Sequence, residues 1–195
     1  MKPSLRRAVI PALLLLLSIV FGLAFDATAT AIEKKQHPRP EQYRSTVEEQ
    51  AEAFGLPAAI LWGMIRQESN FVSNALSEDG AVGLLQITPT CMEQVYTHVL
   101  NEPLPDAGIL YDPKTNLRVG AAWLSALYQK YGAWDAVYAA WDAGTALTDA
   151  WLADEACLNE QGQLAKIPDS STAKFVSSVK KSVEMYTKLY FESSH

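Results

Sequence analysis

Apolar residues along most of this chain recur at helical rather than strand spacing. The clearest case is 58–69, which holds no breaker except Gly63 and follows Pro57. Proline suits a helix's first turn because its missing N–H would have had no partner there. Wound at about 100° per residue, Ile60, Leu61, Met64, Ile65 and Glu68 fall within an arc of roughly 140°. Glu68 sits near the middle of that apolar arc, while Arg66 and Gln67 lie off it. Further on, Thr88 and Pro89 read as the cap and first residue of a helix reaching about residue 100, with a loop over 101–108. Asp112 and Pro113 open another helix, striped by Leu117, Gly120, Ala121, Leu124, Leu127 and Tyr128 and ended by Gly132. Helices over 134–142 and 145–156 follow, then a loop carrying Gly162 and Pro168, then a long helix over 172–191. Ser77-Glu78-Asp79-Gly80 is a turn signal, and the apolar run ending in Gln86 allows at most a small sheet over 80–86. The expected fold class is therefore mainly α, with at most that small β element.

The N-terminus has a different pattern. Lys2, Arg6 and Arg7 precede an apolar run over 8–25, and Ala27-Thr28-Ala29 offers small residues for cleavage. This is the layout of a secretory signal peptide over 1–29. The run is almost long enough to cross a bilayer as an uncleaved anchor, but Pro11, Ser18 and Gly22 within it favour removal. Residues 30–44, polar and carrying Pro38 and Pro40, read as a flexible lead into one domain over 45–195. Composition, 49% hydrophobic and 19% charged, is that of an ordinary globular chain, and no repeat divides it.

Charge narrows the partners. The net charge is −6, and removing 1–29 takes away three cations and one anion, leaving −8. An acidic chain without a basic stripe is a poor nucleic-acid binder and is not steered toward an anionic polymer, so recognition of one would be local. Cys91 and Cys157 are the only cysteines. In an exported protein they could close a disulfide loop of about 65 residues, worth on the order of 4 kcal/mol, or stay as two buried thiols; the sequence leaves both open. His37, His98 and His195 are widely separated and nothing has metal-ligand spacing, so neither a metal site nor a cofactor is expected.

The chemistry centres on Glu68. An ionised carboxylate among apolar side chains is costly, so its pKa should rise and it can stay protonated near neutral pH, as a general acid must. A buried carboxylate can equally be the structural partner of a Lys or Arg. The surrounding residues favour the first reading. A Glu68-Ser69 helix end, a turn, then Gly83-Leu84-Leu85-Gln86-Ile87-Thr88-Pro89 resembles the lytic transglycosylases of the soluble-lytic (SLT) type, which have a lysozyme-like fold. The likeness continues through 111–124, through Ala139-Ala140-Trp141-Asp142-Ala143-Gly144 where that family has Ala-Ala-Tyr-Asn-Ala-Gly, and through Ile167-Pro168, Thr172 and Phe175-Val176. In order, it covers about residues 45–190.

The resemblance implies a lysozyme-like α+β domain acting on peptidoglycan glycan strands without a cofactor, in the periplasm or cell envelope. It also assigns roles. Glu68 would protonate the β-1,4 bond between N-acetylmuramic acid and N-acetylglucosamine and then, as a base, help close a 1,6-anhydromuramoyl end. Ser69 and Gln86 would contact substrate, although a helix-end hydroxyl satisfying local backbone and a solvated amide are the plainer readings. Leu85 stands where Met is common, a volume-conserving change expected to be silent. Trp141 and Asp142 are the departures. The family's Tyr reaches the catalytic Glu with its hydroxyl, whereas Trp141 has only an indole N–H, so that contact is lost or replaced. Asp142 in place of Asn could raise the pKa of Glu68, act as a second carboxylate and turn the reaction toward lysozyme-type hydrolysis, or simply cap a helix. Among the aromatics able to stack on sugar (Trp62, Tyr96, Trp123, Tyr128, Tyr131, Trp134, Tyr138, Trp151), most fall at core spacing, and only Tyr138 is singled out for the cleft. A catalytically silent peptidoglycan-binding module is the alternative class; Glu68 in its apolar stripe favours the enzyme.

Overall fold

The computed structural model describes residues 3–192, and the chain divides after Pro38 into two compact units. The first unit is one helix, α1 (Pro3–Gln36). Its segment Pro11–Gln36 has a mean hydropathy of 2.2, long and apolar enough to cross a membrane. Residues 30–36, expected within a flexible lead, continue this helix, because Ile32, Glu33, Lys34 and Lys35 bring no breaker. Only 37–40 are without helix before the next element, which starts four residues earlier than the spacing suggests.

The second unit is built from α2 (Glu41–Ala53), α3 (Ala58–Glu68), α4 (Pro89–Gln94), α5 (Pro113–Tyr131), α6 (Trp134–Ala143), α7 (Thr145–Leu152) and α8 (Ser170–Tyr186). Side-chain caps mark the starts of α4, α5 and α8. Thr88 accepts from the Cys91 N–H, Asp112 from that of Thr115 and Asp169 from that of Thr172, and Gly132 ends α5 in the left-handed region at φ 65°. The helix expected to reach residue 156 stops at Leu152. Asp154 caps a separate 3-10 turn, Glu155–Cys157, in its place. Wider π turns, Val95–Leu100 and Thr187–Phe191, extend α4 and α8 to the expected lengths.

Helix α3 runs through the middle of the core. Leu61, Trp62, Met64 and Ile65 are inaccessible to solvent, packed with Leu84, Leu117, Leu124, Val137 and Val179. It packs against α8 at Gly63, where a Cβ would overlap the Val183 side chain. Gln67 adds a hydrogen bond to the Ser182 hydroxyl at 2.6 Å. Holding α3 from several sides in this way fixes the position of its last residue, Glu68.

The small sheet over 80–86 does not form among the described residues. Isolated bridges, Leu76 to Val82 and Val82 to Ile87, stand in its place. Gly83 at φ 81° and Gln86 at φ 46° are incompatible with an extended strand, so the segment is a compact loop. The disulfide also does not form, and both cysteines are free thiols. Cys91 is half-buried in the first turn of α4 and packs against the core, and Cys157 is buried in its 3-10 turn as part of that core. Burial pushes the Cys91 thiol up to about 12.

Candidate active site

Glu68 is the last residue of α3, and local chemistry ends the helix there. Ser69 leaves the helical region, and Asn70 and Phe71 both take left-handed conformations at φ 49° and 69°. Asn tolerates that region, and its carboxamide accepts a hydrogen bond from Arg66. Phe71 is less suited to it, but its ring packs against Trp62 at a centroid distance of 6.1 Å. The Ser69 hydroxyl donates to the Leu84 carbonyl at 2.8 Å, binding the helix end to the 82–87 loop.

Asn116 on α5 shapes that loop. It is fully buried; its Oδ1 accepts from the Leu85 N–H at 2.8 Å, and its Nδ2 donates to the carbonyls of Val82 at 2.8 Å and Leu110 at 3.0 Å. A Cβ on Gly83 would strike the Asn116 side chain and the Leu110 carbonyl, so glycine is needed there for space as well as for its positive φ. Gly120, one turn beyond Asn116, makes room for Leu85. The Gln86 Nε2 donates to the Gly83 carbonyl at 2.9 Å and to that of Ala75 at 3.3 Å.

The third wall is the C-terminal end of α6. Trp141 Nε1 donates to Glu68 Oε1 at 2.6 Å, so the indole replaces the contact that a tyrosine hydroxyl would make. Asp142, exposed, accepts from the Thr172 hydroxyl at 2.7 Å, fastening α6 to the start of α8. Glu68 is half-buried, and no Lys or Arg pairs with it among the described ion pairs. Its pKa is raised from 4.5 to about 7. Burial away from water is the main cause; the charge of Asp142 pushes the same way, and the Trp141 hydrogen bond opposes both. The acid can therefore hold a proton near neutral pH and still meet a ligand on its exposed side.

The structure thus brings Glu68, Ser69, Trp141 and Asp142 together where α3, the loop and α6 converge. Gln86 lies in the loop with its amide nitrogen committed to backbone. Tyr138 is a correction: it is 2% exposed and stacked on Trp134 at 5.6 Å. With Ala59, Ile60 and Val183 it borders an apolar cavity of about 510 Å3 toward the opposite end of α3 from Glu68, so the ring packs away from the acid rather than beside it. Trp62 and Tyr96 are likewise buried. Two contributors were missed from the sequence, Asn116 and the Thr172 hydroxyl. Asn116 did leave a signal, because a carboxamide one turn before Gly120 sits on the apolar stripe of α5.

Comparison with known proteins bears on what this site does. The model of the transglycosylase SLT domain matches residues 45–162. The membrane-bound lytic murein transglycosylase C of Haemophilus influenzae is 30% identical over 94 residues, 48% of this chain and 26% of that protein. Among solved structures, an inactive glutamate-to-glutamine mutant of the lytic transglycosylase Slt from Pseudomonas aeruginosa superposes with a TM-score of 0.71 at 29% identity, covering 80% of this chain and 25% of that one. The 70 kDa soluble lytic transglycosylase of Escherichia coli gives 0.75 at 25% identity, covering 82% of this chain and 26% of that one. The chain thus spans about a quarter of the length of these relatives.

Proposed function

The chain belongs to the transglycosylase SLT domain family, and from that premise we propose that it is a peptidoglycan lytic transglycosylase of the cell envelope, with Glu68 as its one acid and base. The observation that carries the proposal is a half-buried carboxyl with a pKa raised to about 7, at the helix end where the loop and α6 meet. That a relative of known structure is inactivated by changing one glutamate to glutamine supports the same assignment.

The reaction needs one carboxyl group in two states. Protonated Glu68 gives its proton to the glycosidic oxygen as the bond to C1 of the N-acetylmuramoyl residue breaks, freeing the 4-hydroxyl of N-acetylglucosamine. The substrate's own acetamido group stabilises the oxocarbenium-like centre at C1. Glu68, now ionised, takes the proton from the C6 hydroxyl, whose oxygen bonds to C1 and closes the 1,6-anhydro ring. The proton lost in the first step is recovered in the second, and no water is consumed. A pKa near the working pH suits both halves. The Ser69 hydroxyl, whose proton goes to the Leu84 carbonyl, and the Gln86 Oε1, whose amide nitrogen goes to backbone, are assigned accepting contacts to sugar hydroxyls. Hydrolysis through Asp142 gains less support, because one of its oxygens already holds Thr172.

Digestion of purified sacculi followed by mass analysis tests the proposal. Anhydro ends that vanish with Glu68→Gln are expected. Products one water heavier would make the protein a lysozyme-type hydrolase, and intact glycan that still binds the protein would make it a silent module.

A further inference from the structure

The indole on Glu68 does more than replace a lost contact. An indole N–H donates and has no lone pair to accept with, unlike a phenol hydroxyl, which can do either. In a neutral carboxylic acid the two oxygens differ: one carries the proton, and the other is the better acceptor. Trp141 Nε1 lies 2.6 Å from Oε1, and α6 and α3 are both fixed in the core, so the donor has no easy alternative partner. We propose that Trp141 is a positioning residue that assigns the working proton of Glu68 to Oε2, making Oε2 the oxygen that gives and recovers it. This assignment rests on the reading of Glu68 as the acid.

A second consequence concerns the range of pH over which the acid works. The indole N–H bonds the carboxylate more strongly than the neutral acid, so it restrains the rise that burial and Asp142 impose. The other charged groups around Glu68 do not compete for this role. Arg66 on α3 is turned to Asn70, α8 offers the uncharged Thr172 hydroxyl to Asp142, and the 80–87 loop has no ionisable side chain. Trp141 and Asp142 thus act on Glu68 in opposite senses from adjacent positions on one helix.

The test is an NMR titration of the 15N-labelled indoles in the full chain, with the Trp141 signal identified by its absence in Trp141→Phe. The expected Trp141 N–H signal is downfield and slow to exchange on both sides of a single midpoint near 7, and does not titrate in Glu68→Gln. Loss of the bonded shift on the acid side of that midpoint would place the proton on Oε1 and overturn the assignment. For Trp141→Phe, the Glu68 midpoint and the alkaline limb of glycan cleavage are both expected to move up by roughly one pH unit, and Trp141→Tyr, which restores a donor, to bring them back. An unmoved midpoint in a folded Trp141→Phe would likewise refute it. The spectra do not depend on turnover, so a linked titration without glycan cleavage would sink the enzymatic reading and leave the proton assignment standing.

Discussion

At the scale of single residues, Glu68 couples stability to chemistry. Its pKa is about 7 in the folded protein against an ordinary 4.5, so between those values the folded state holds a proton that the unfolded state releases. Stability from this group is therefore full below about pH 4.5 and is lost as pH rises through 7. Glu68→Gln removes that loss and keeps a carbonyl for the Trp141 N–H. The variant is expected to be more stable than the parent at pH 8, by up to about 3 kcal/mol, and to melt higher there, with the gap closing at pH 5. Parallel thermal melts at the two pH values check this; a variant less stable at pH 8 would contradict it. In the proposed mechanism the same carboxyl serves in both steps, so cleavage should fall by ~10²–10⁴-fold or more, measured as release of soluble fragments from sacculi. The direction of Glu68 was legible from the helical period alone. The tie from Ser69 to Leu84, fifteen residues on, was not, because a tertiary contact leaves no trace in local spacing.

At the scale of elements, the loop before α4 is held from outside itself. Asn116→Ala removes three hydrogen bonds from a fully buried carboxamide: the Leu85 N–H and the Leu110 carbonyl lose this partner, and the Val82 carbonyl keeps only the Ile87 N–H. The expected cost is about 2–4 kcal/mol in denaturant melts, with cleavage falling further than stability alone explains. Cleavage unaffected in the folded fraction would show that the loop does not shape the site. Gly63→Ala acts on the other support of the site. Its methyl meets Val183 of α8, and a loss of about 1–3 kcal/mol is expected from the same melts. Helix starts at Asp112 and near residue 89 were readable because capping side chains and prolines act locally. The absent small sheet was not readable, since the left-handed Gln86 follows Leu85, whose N–H is held by Asn116 of α5 across thirty-one residues. Tyr138 was misread for a related reason. Its period placed it near Trp141, but the ring stacks on Trp134 and borders the cavity that Ile60 also lines.

At the scale of the whole molecule, the second unit is held together by its core and without a covalent crosslink between its cysteines. With Cys91 and Cys157 as free thiols, reductant should leave the melting temperature unchanged; a drop of several degrees would reveal a disulfide. The proposed role of the first unit in export is settled by its fate, which has two outcomes. A mature N-terminus near residue 30 in N-terminal sequencing indicates signal cleavage, and an intact chain in the membrane fraction indicates that α1 stays as an anchor. Neither outcome changes the proposed chemistry, which depends on one group in the second unit holding its proton. The most direct measurement is therefore the 13C titration of the Glu68 carboxyl in the full chain. A midpoint near 7 is expected, and a midpoint between 4 and 5 would show an ordinary solvated carboxylate and end the account of Glu68 as the acid.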